Sequence, residues 1–178
     1  MSNTPLHQPL PRLIDPRKFA QQGLEIAGKL PVSDLSRISE MVLDRTAEVD
    51  VELDFLVDEE RIRTVRGQAQ CKLAVTCQRC LESVTVPVKA SVNLAIVWDE
   101  DAAKNLPKRF DPWIAAEGPN DLFEVIEDEL LLNLPLASYH EHACVEASAF
   151  SVGEIEEAEE VSSNPFQMLE QLKGSPKS

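Results

Sequence analysis

Thr76-Cys77-Gln78-Arg79-Cys80-Leu81 separates the two longest alternating apolar segments of the chain, and its reading decides the fold. On its N-terminal side Val65, Ala69, Cys71, Leu73 and Val75 share one parity, while Arg66, Gln68, Gln70, Lys72 and Thr76 share the other. That is the pattern of a half-buried strand. On its C-terminal side Val84, Val86, Val88, Ala90, Val92, Leu94, Ile96 and Trp98 alternate with Thr85, Lys89, Ser91 and Asn93. The hexapeptide is therefore a turn between strands, with Cys77 continuing the inward face.

Upstream, Ala47, Val49, Val51, Leu53, Phe55 and Val57 alternate with Glu48, Asp50, Glu52 and Asp54. Asp58-Glu59-Glu60 forms a polar loop, so this strand and the next make a hairpin and the three together a meander. The acidic row of the first strand is expected to lie across from a basic row, Arg61, Arg63 and Arg66, and to help fix the register; the alternative role for these arginines is contact with a ligand. Leu24–Leu30 reads as a further strand ended by Pro31. Ser33 is placed as the cap of a helix carrying Leu35, Ile38 and Val42, and Asp15-Pro16 opens a short helix to Gln21. Asp121 caps a helix from Leu122 to Leu134, with Leu122, Ile126 and Leu130 on one side and Glu124, Glu127 and Asp128 on a solvated face. Residues 99–120, with Pro107, Pro112, Gly118 and Pro119, read as a long loop. The expected fold is α+β: an antiparallel β-meander, as a sheet or partly closed barrel, packed with two or three helices and carrying a Cys-x-x-Cys knuckle at a strand turn. The expected organisation is an extended arm at 1–14, a single domain at 15–144, an acidic disordered linker at 145–163 and a short amphipathic helix at 164–174.

Two cysteines two residues apart on such a turn direct both sulfurs at one ion, as in half of a zinc-ribbon site. The remaining ligands would come from His140-Glu141-His142-Ala143-Cys144. The competing reading is a set of reduced, partly buried thiols. A thioredoxin-like dithiol fits less well, because a strand rather than a helix follows the motif. Cys71, on the inward parity with Leu73, is a core residue.

The chain has 178 residues, 43% of them apolar, with 31 acidic against 17 basic side chains and a formal charge of -14. This charge disfavours non-specific attraction to nucleic acid or an anionic membrane. It is segregated: residues 61–81 hold Arg61, Arg63, Arg66, Lys72 and Arg79 and no acid, whereas residues 141–160 are acidic without Lys or Arg. No signal-peptide pattern or membrane span is legible, so a cytoplasmic location with unpaired cysteines is expected.

Taken in order, Asp-Pro-Arg (15–17), Thr-Cys-Gln-Arg-Cys-Leu (76–81), Glu-Asp-Glu-Leu-Leu-Leu-Asn-Leu-Pro-Leu (127–136), His140, Cys144 and Asn-Pro-Phe-Gln-Met-Leu-Glu-Gln-Leu-Lys (164–173) resemble the bacterial YceD family. The order of these motifs carries the resemblance; none is specific alone. It implies a role in the synthesis, processing or stability of the large-subunit (23S) ribosomal RNA, hence in large ribosomal subunit biogenesis in the bacterial cytosol. The resemblance matches the positions of Cys77, Cys80, His140 and Cys144, the candidate ligands of a structural zinc, while His142, the alternative ligand, has no counterpart in the family pattern.

The preferred reading is a non-enzymatic assembly factor that binds large-subunit ribosomal RNA or a large-subunit ribosomal protein, with no DNA or membrane partner. Its expected contacts are Arg61, Arg63, Arg66, Lys72 and Arg79 on the basic segment and Phe166, Leu169 and Leu172 on the terminal helix. The alternatives are a protein adaptor with a structural zinc site, and a dithiol or RNA-processing enzyme. Against an enzyme, the chain has no nucleophile-base pair, Gly-rich phosphate loop or HExxH helix.

Overall fold

The computed structural model describes residues 9–146. Residues 1–8 of the arm, the acidic stretch from 147 to 163 and the helix expected at 164–174 lie outside the described residues, and with them Phe166, Leu169 and Leu172. In chain order the elements are β1 (Leu13–Ile14), α1 (Pro16–Gln22), β2 (Glu25–Pro31), α2 (Ser36–Met41), β3 (Glu48–Val57), β4 (Arg63–Thr76), β5 (Ser83–Val97), α3 (Glu100–Lys104), β6 (Asp111–Ile114), β7 (Asn120–Asp121) and α4 (Leu122–Asn133).

Alternation in the sequence becomes a five-stranded sheet of order β2-β3-β4-β5-β6. The first four strands are successively antiparallel, and β6 runs parallel to β5. With β2 and β6 at its edges the sheet is open, and the barrel alternative is not realised. Val49, Val51, Leu53 and Phe55 of β3 join Val65, Ala69 and Leu73 of β4 and Val88, Val92 and Leu94 of β5 in one buried layer. α1 packs on β3, and α4 on β5. Burial of a side chain such as Leu53, Phe55 or Leu73 contributes roughly 1.5–3 kcal/mol.

The local start signals act as expected in α1, and a glycine ends it. Asp15 accepts the Lys18 N–H at 3.1 Å, Pro16 takes the first helical position, and Gly23 closes the helix at φ 64. Residues 9–14 lie along this domain: Leu10 and Ile14 are buried, and Leu13–Ile14 pairs with Asn120–Asp121.

Four expectations change. Ser33 does not cap a helix; it lies in a 3-10 turn, Val32–Asp34, and α2 begins only at Ser36. Leu35, at the N-cap of α2, makes no capping side-chain bond. That work falls to Glu127 of α4, which is 3% exposed rather than on a solvated face. Its Oε1 accepts the N–H groups of Arg37 (2.7 Å) and Ile38 (2.9 Å), and its Oε2 accepts Arg37 Nε at 3.1 Å. A distant carboxylate thus satisfies the orphan donors of a helix start. Glu127→Ala is expected to lower stability by about 2–4 kcal/mol, because it leaves the buried Ile38 N–H and the partly buried Arg37 donors unpaired, with Glu127→Gln intermediate. Urea denaturation checks it, and an unchanged midpoint for the alanine variant would refute this role.

The stretch 99–120 holds α3 and the edge strand β6 instead of a continuous loop. Pro112, a strand breaker in isolation, is tolerated because β6 lies at the edge of the sheet. The expected basic row is also thinner than charge counting suggests. Across from β3, Asp54 meets Arg66, but Glu52 and Asp50 meet Gln68 and Gln70. From the other side, Lys29 of β2 reaches Glu48 at 2.7 Å and Asp50 at 3.8 Å.

Candidate metal centre

The turn between β4 and β5 is fixed by backbone bonds before any side chain is considered. Cys77 N–H donates to the Glu82 carbonyl (2.8 Å), and Leu81 N–H donates to the Cys77 carbonyl (2.9 Å). Leu81 adopts φ 63, a left-handed conformation that a leucine holds only when its surroundings enforce it. This tight reversal aims Cys77 and Cys80 at the same space. Gln78 N–H donates to the Ser138 carbonyl at 2.8 Å, which brings the segment after α4 alongside the turn.

The result is a cluster of Cys77, Cys80, His140 and Cys144, whose ligand atoms all lie within 4.8 Å of one another. Cys77 Sγ is 3.8 Å from Cys144 Sγ, and Cys80 Sγ is 3.4 Å from His140 Nδ1. A tetrahedron built on a Zn–S bond of about 2.3 Å has edges of about 3.8 Å, slightly less where a nitrogen replaces a sulfur. The spacing suits a closed, four-coordinate site. His140 Nε2 lies 3.1 Å from the Ser83 carbonyl, which can only accept; Nε2 therefore carries the proton, and Nδ1 is left as the donor to a metal. His142 is not in the cluster: its ring lies beside that of His140 at a centroid distance of 5.0 Å. Sequence order left the two histidines as alternatives, and the bond to Ser83 separates them.

The downward shift at Cys77 favours the thiolate that a metal takes, whereas Cys80 and His140 shift upward. Burial pushes the Cys77 thiol up, but backbone N–H groups of Cys80, Arg79 and His140 and the Cys80 side chain outweigh it, bringing the pKa down to about 5. At Cys80 a backbone bond from Glu82 lowers the pKa, while burial and the Cys77 and Cys144 sulfurs oppose it, and the net shift is upward. His140 is raised, chiefly by its bond to Cys144. Zinc with three thiolates and a neutral imidazole carries one net negative charge. The Arg79 guanidinium stands 3.9 Å from Cys144 Sγ and bonds the His142 carbonyl at 3.2 Å, where it would partly balance that charge. Cys71, buried in the sheet core, is pushed up to about 11 by burial and then by Asp50, as suits an inert core thiol.

The five basic residues of the 61–81 segment do not gather on one face. Arg61 sits in the hairpin loop at φ 63. Arg63 has the parity of Val65, on the helix-bearing side, whereas Arg66 and Lys72 point from the other side of β4. Arg66 lies over the Phe110 ring at 5.5 Å. Arg79, at the knuckle, lies 5.3 Å from the Tyr139 ring. Among the described residues, no helix is long and apolar enough to cross a membrane.

Residues 65–173 match the family described as large ribosomal RNA subunit accumulation protein YceD. A Haemophilus influenzae protein named "Large ribosomal RNA subunit accumulation protein YceD" is 34% identical over 167 residues, spanning 92% of this chain and 96% of the relative. No solved structure matches.

Proposed function

This chain belongs to the YceD family, and on that premise we propose that it is a non-enzymatic factor in large ribosomal subunit biogenesis. It supports the synthesis, processing or stability of 23S ribosomal RNA by binding a component of the large-subunit precursor, either its RNA or one of its proteins. The observation that carries this reading is the similarity, over 92% of the chain, to a relative named for accumulation of that RNA. Within the factor, Cys77, Cys80, His140 and Cys144 hold a structural zinc; the gathering of their ligand atoms within 4.8 Å of one another supports this assignment. With four protein ligands the metal has no open position for a substrate, so its role is to pin the segment 138–144 to the β4–β5 turn. The reading places the protein in the cytoplasm, where large-subunit precursors are assembled.

Sucrose-gradient fractionation of native lysate tests this function. The protein is expected to co-migrate with large-subunit precursors at low salt and move to the top of the gradient at high salt, since charged contacts to such particles are screened. A strain lacking it is expected to have less 23S relative to 16S RNA. Migration only at the top of the gradient, with an unchanged RNA ratio in the deletion strain, would overturn the proposal.

A further inference from the structure

A cleft of about 810 Å³ opens between β6 and α4, lined by none of the cysteine cluster. Leu94 and Trp113, both buried, and half-buried Val125 give it an apolar lining, to which exposed Ile114 and Leu132 add. Its charge is one-sided: Asp111, Asp121, Glu124, Asp128 and Glu129 line it against a single cation, Arg37. Two of these carboxylates are already matched, Asp121 by Arg12 at 2.9 Å and Asp128 by Arg37 at 2.7 Å. Among the described residues Asp111, Glu124 and Glu129 make no ion pair. Burial, then the charges of Asp111 and Asp128, raise the pKa of Glu129, a penalty that an incoming cation would relieve.

The wall on the sheet side is a free strand edge. Ala115 N–H donates to the Val97 carbonyl at 3.0 Å. In a parallel ladder the preceding residue then faces away, so the N–H and C=O of Ile114 lie on the open edge of β6. Along α4, Val125, Glu129 and Leu132 form one row at i, i+4 and i+7, and Glu124, Asp128 and Leu131 form another. Acidic and apolar groups are thus interleaved opposite an unpaired backbone.

We infer that this cleft receives an extended, Lys- or Arg-bearing segment of a protein partner, laid along the edge of β6 with its cations on Asp111, Glu124 and Glu129 and its alternate apolar side chains beside Trp113 and Leu132. The inference rests on the proposed function in taking that partner from the large subunit. An RNA strand is the wrong occupant, because a lining of five carboxylates against one arginine repels phosphates. The chain's own stretch from Glu154 to Glu160 also has the wrong sign. Segments that neutralise ribosomal RNA phosphates carry the cations this cleft lacks, so a segment held here is also kept off RNA.

The test is fluorescence anisotropy of the full chain with a labelled short peptide of alternating Lys and Val. Binding is expected, weakening with added KCl, and a Gln-Val peptide of the same length is expected not to bind. The triple variant Asp111→Asn, Glu124→Gln, Glu129→Gln is expected to bind the Lys-Val peptide about ten-fold more weakly, as loss of three exposed ion pairs implies. Its melting temperature is measured alongside to show that it is folded. In a second measurement, Leu132→Cys carrying a benzophenone is expected to crosslink to the peptide. Equal affinity in wild type and triple variant would overturn the inference. So would crosslinking of Leu132→Cys to a second copy or to residues 164–173 with the peptide excluded, or preference for a single-stranded oligonucleotide. Peptide binding without co-migration in gradients would sink the ribosomal reading and leave the cleft's chemistry standing.

Discussion

Joint replacement of Cys77 and Cys80 by serine is expected to abolish zinc binding, taking the purified protein from one zinc per chain to none. The two cysteines sit on the β4–β5 turn and their partners His140 and Cys144 follow α4, so a bound metal would close a loop of more than fifty residues. Treated as a cross-link of that length, its loss costs about 4 kcal/mol, or a fall in melting temperature on the order of 10 °C. Cys77 is one member of a core cluster built mostly from β3, β4 and β5 side chains, so the variant should keep its far-UV circular dichroism at room temperature while amide exchange accelerates at residues 76–83 and 138–144. Cys71→Ala should retain the metal, since Cys71 lies outside the cluster. A strong chelator should reproduce the double variant's melting curve in the wild type. Metal-free wild-type protein whose melting temperature equals that of the zinc-loaded form would refute the site.

Gly67→Ala is expected to be the most damaging single backbone substitution in the sheet. Gly67 lies in β4, paired with Leu53 on one side and Val92 on the other, and adopts φ 153. A Cβ there would stand 2.0 Å from the Glu52 carbonyl oxygen. Relief requires β3 and β4 to separate in the middle of a five-stranded sheet, where each is already paired on both sides. The cost is about 3 kcal/mol or more, from strain at a disfavoured φ plus an overpacked contact. Gly23→Ala is the matched control: it also needs positive φ, 64, but nothing lies within 4 Å of its Cβ. It should cost only about 1 kcal/mol. Equal midpoints for the two variants in guanidinium would show that the clash at Glu52 is not real.

The two substitutions mark different depths of legibility. The strand pattern around residues 76–81 was readable because side-chain parity is a local property, and β3, β4 and β5 begin and end close to where alternation does. The start of α1 was readable for the same reason: Asp15 and Pro16 act within one turn of their own positions. Gly67 lies inside an alternating run, but that Glu52 is the backbone it approaches follows only from the pairing of β3 with β4. Nothing local identifies Glu127 as the cap of a helix ninety residues upstream, because it shares its helical spacing with the exposed Glu124 and Asp128. β6 escaped notice because Pro112 and short length hide a strand whose pairing partner is supplied by Leu94–Val97.

By itself, the sequence determined the antiparallel succession β3 to β5, the knuckle at Cys77 and Cys80 and the one-sided burial of the sheet, all consequences of short-range periodicity, capping and turn chemistry. Tertiary structure alone decided that His140 rather than His142 completes the cluster, that Glu127 is buried, that the basic side chains of residues 61–81 are dispersed, and that acids of β6 and α4 line one cleft. Each of those depends on which distant backbone group a side chain meets, and that is fixed only when the sheet and helices pack.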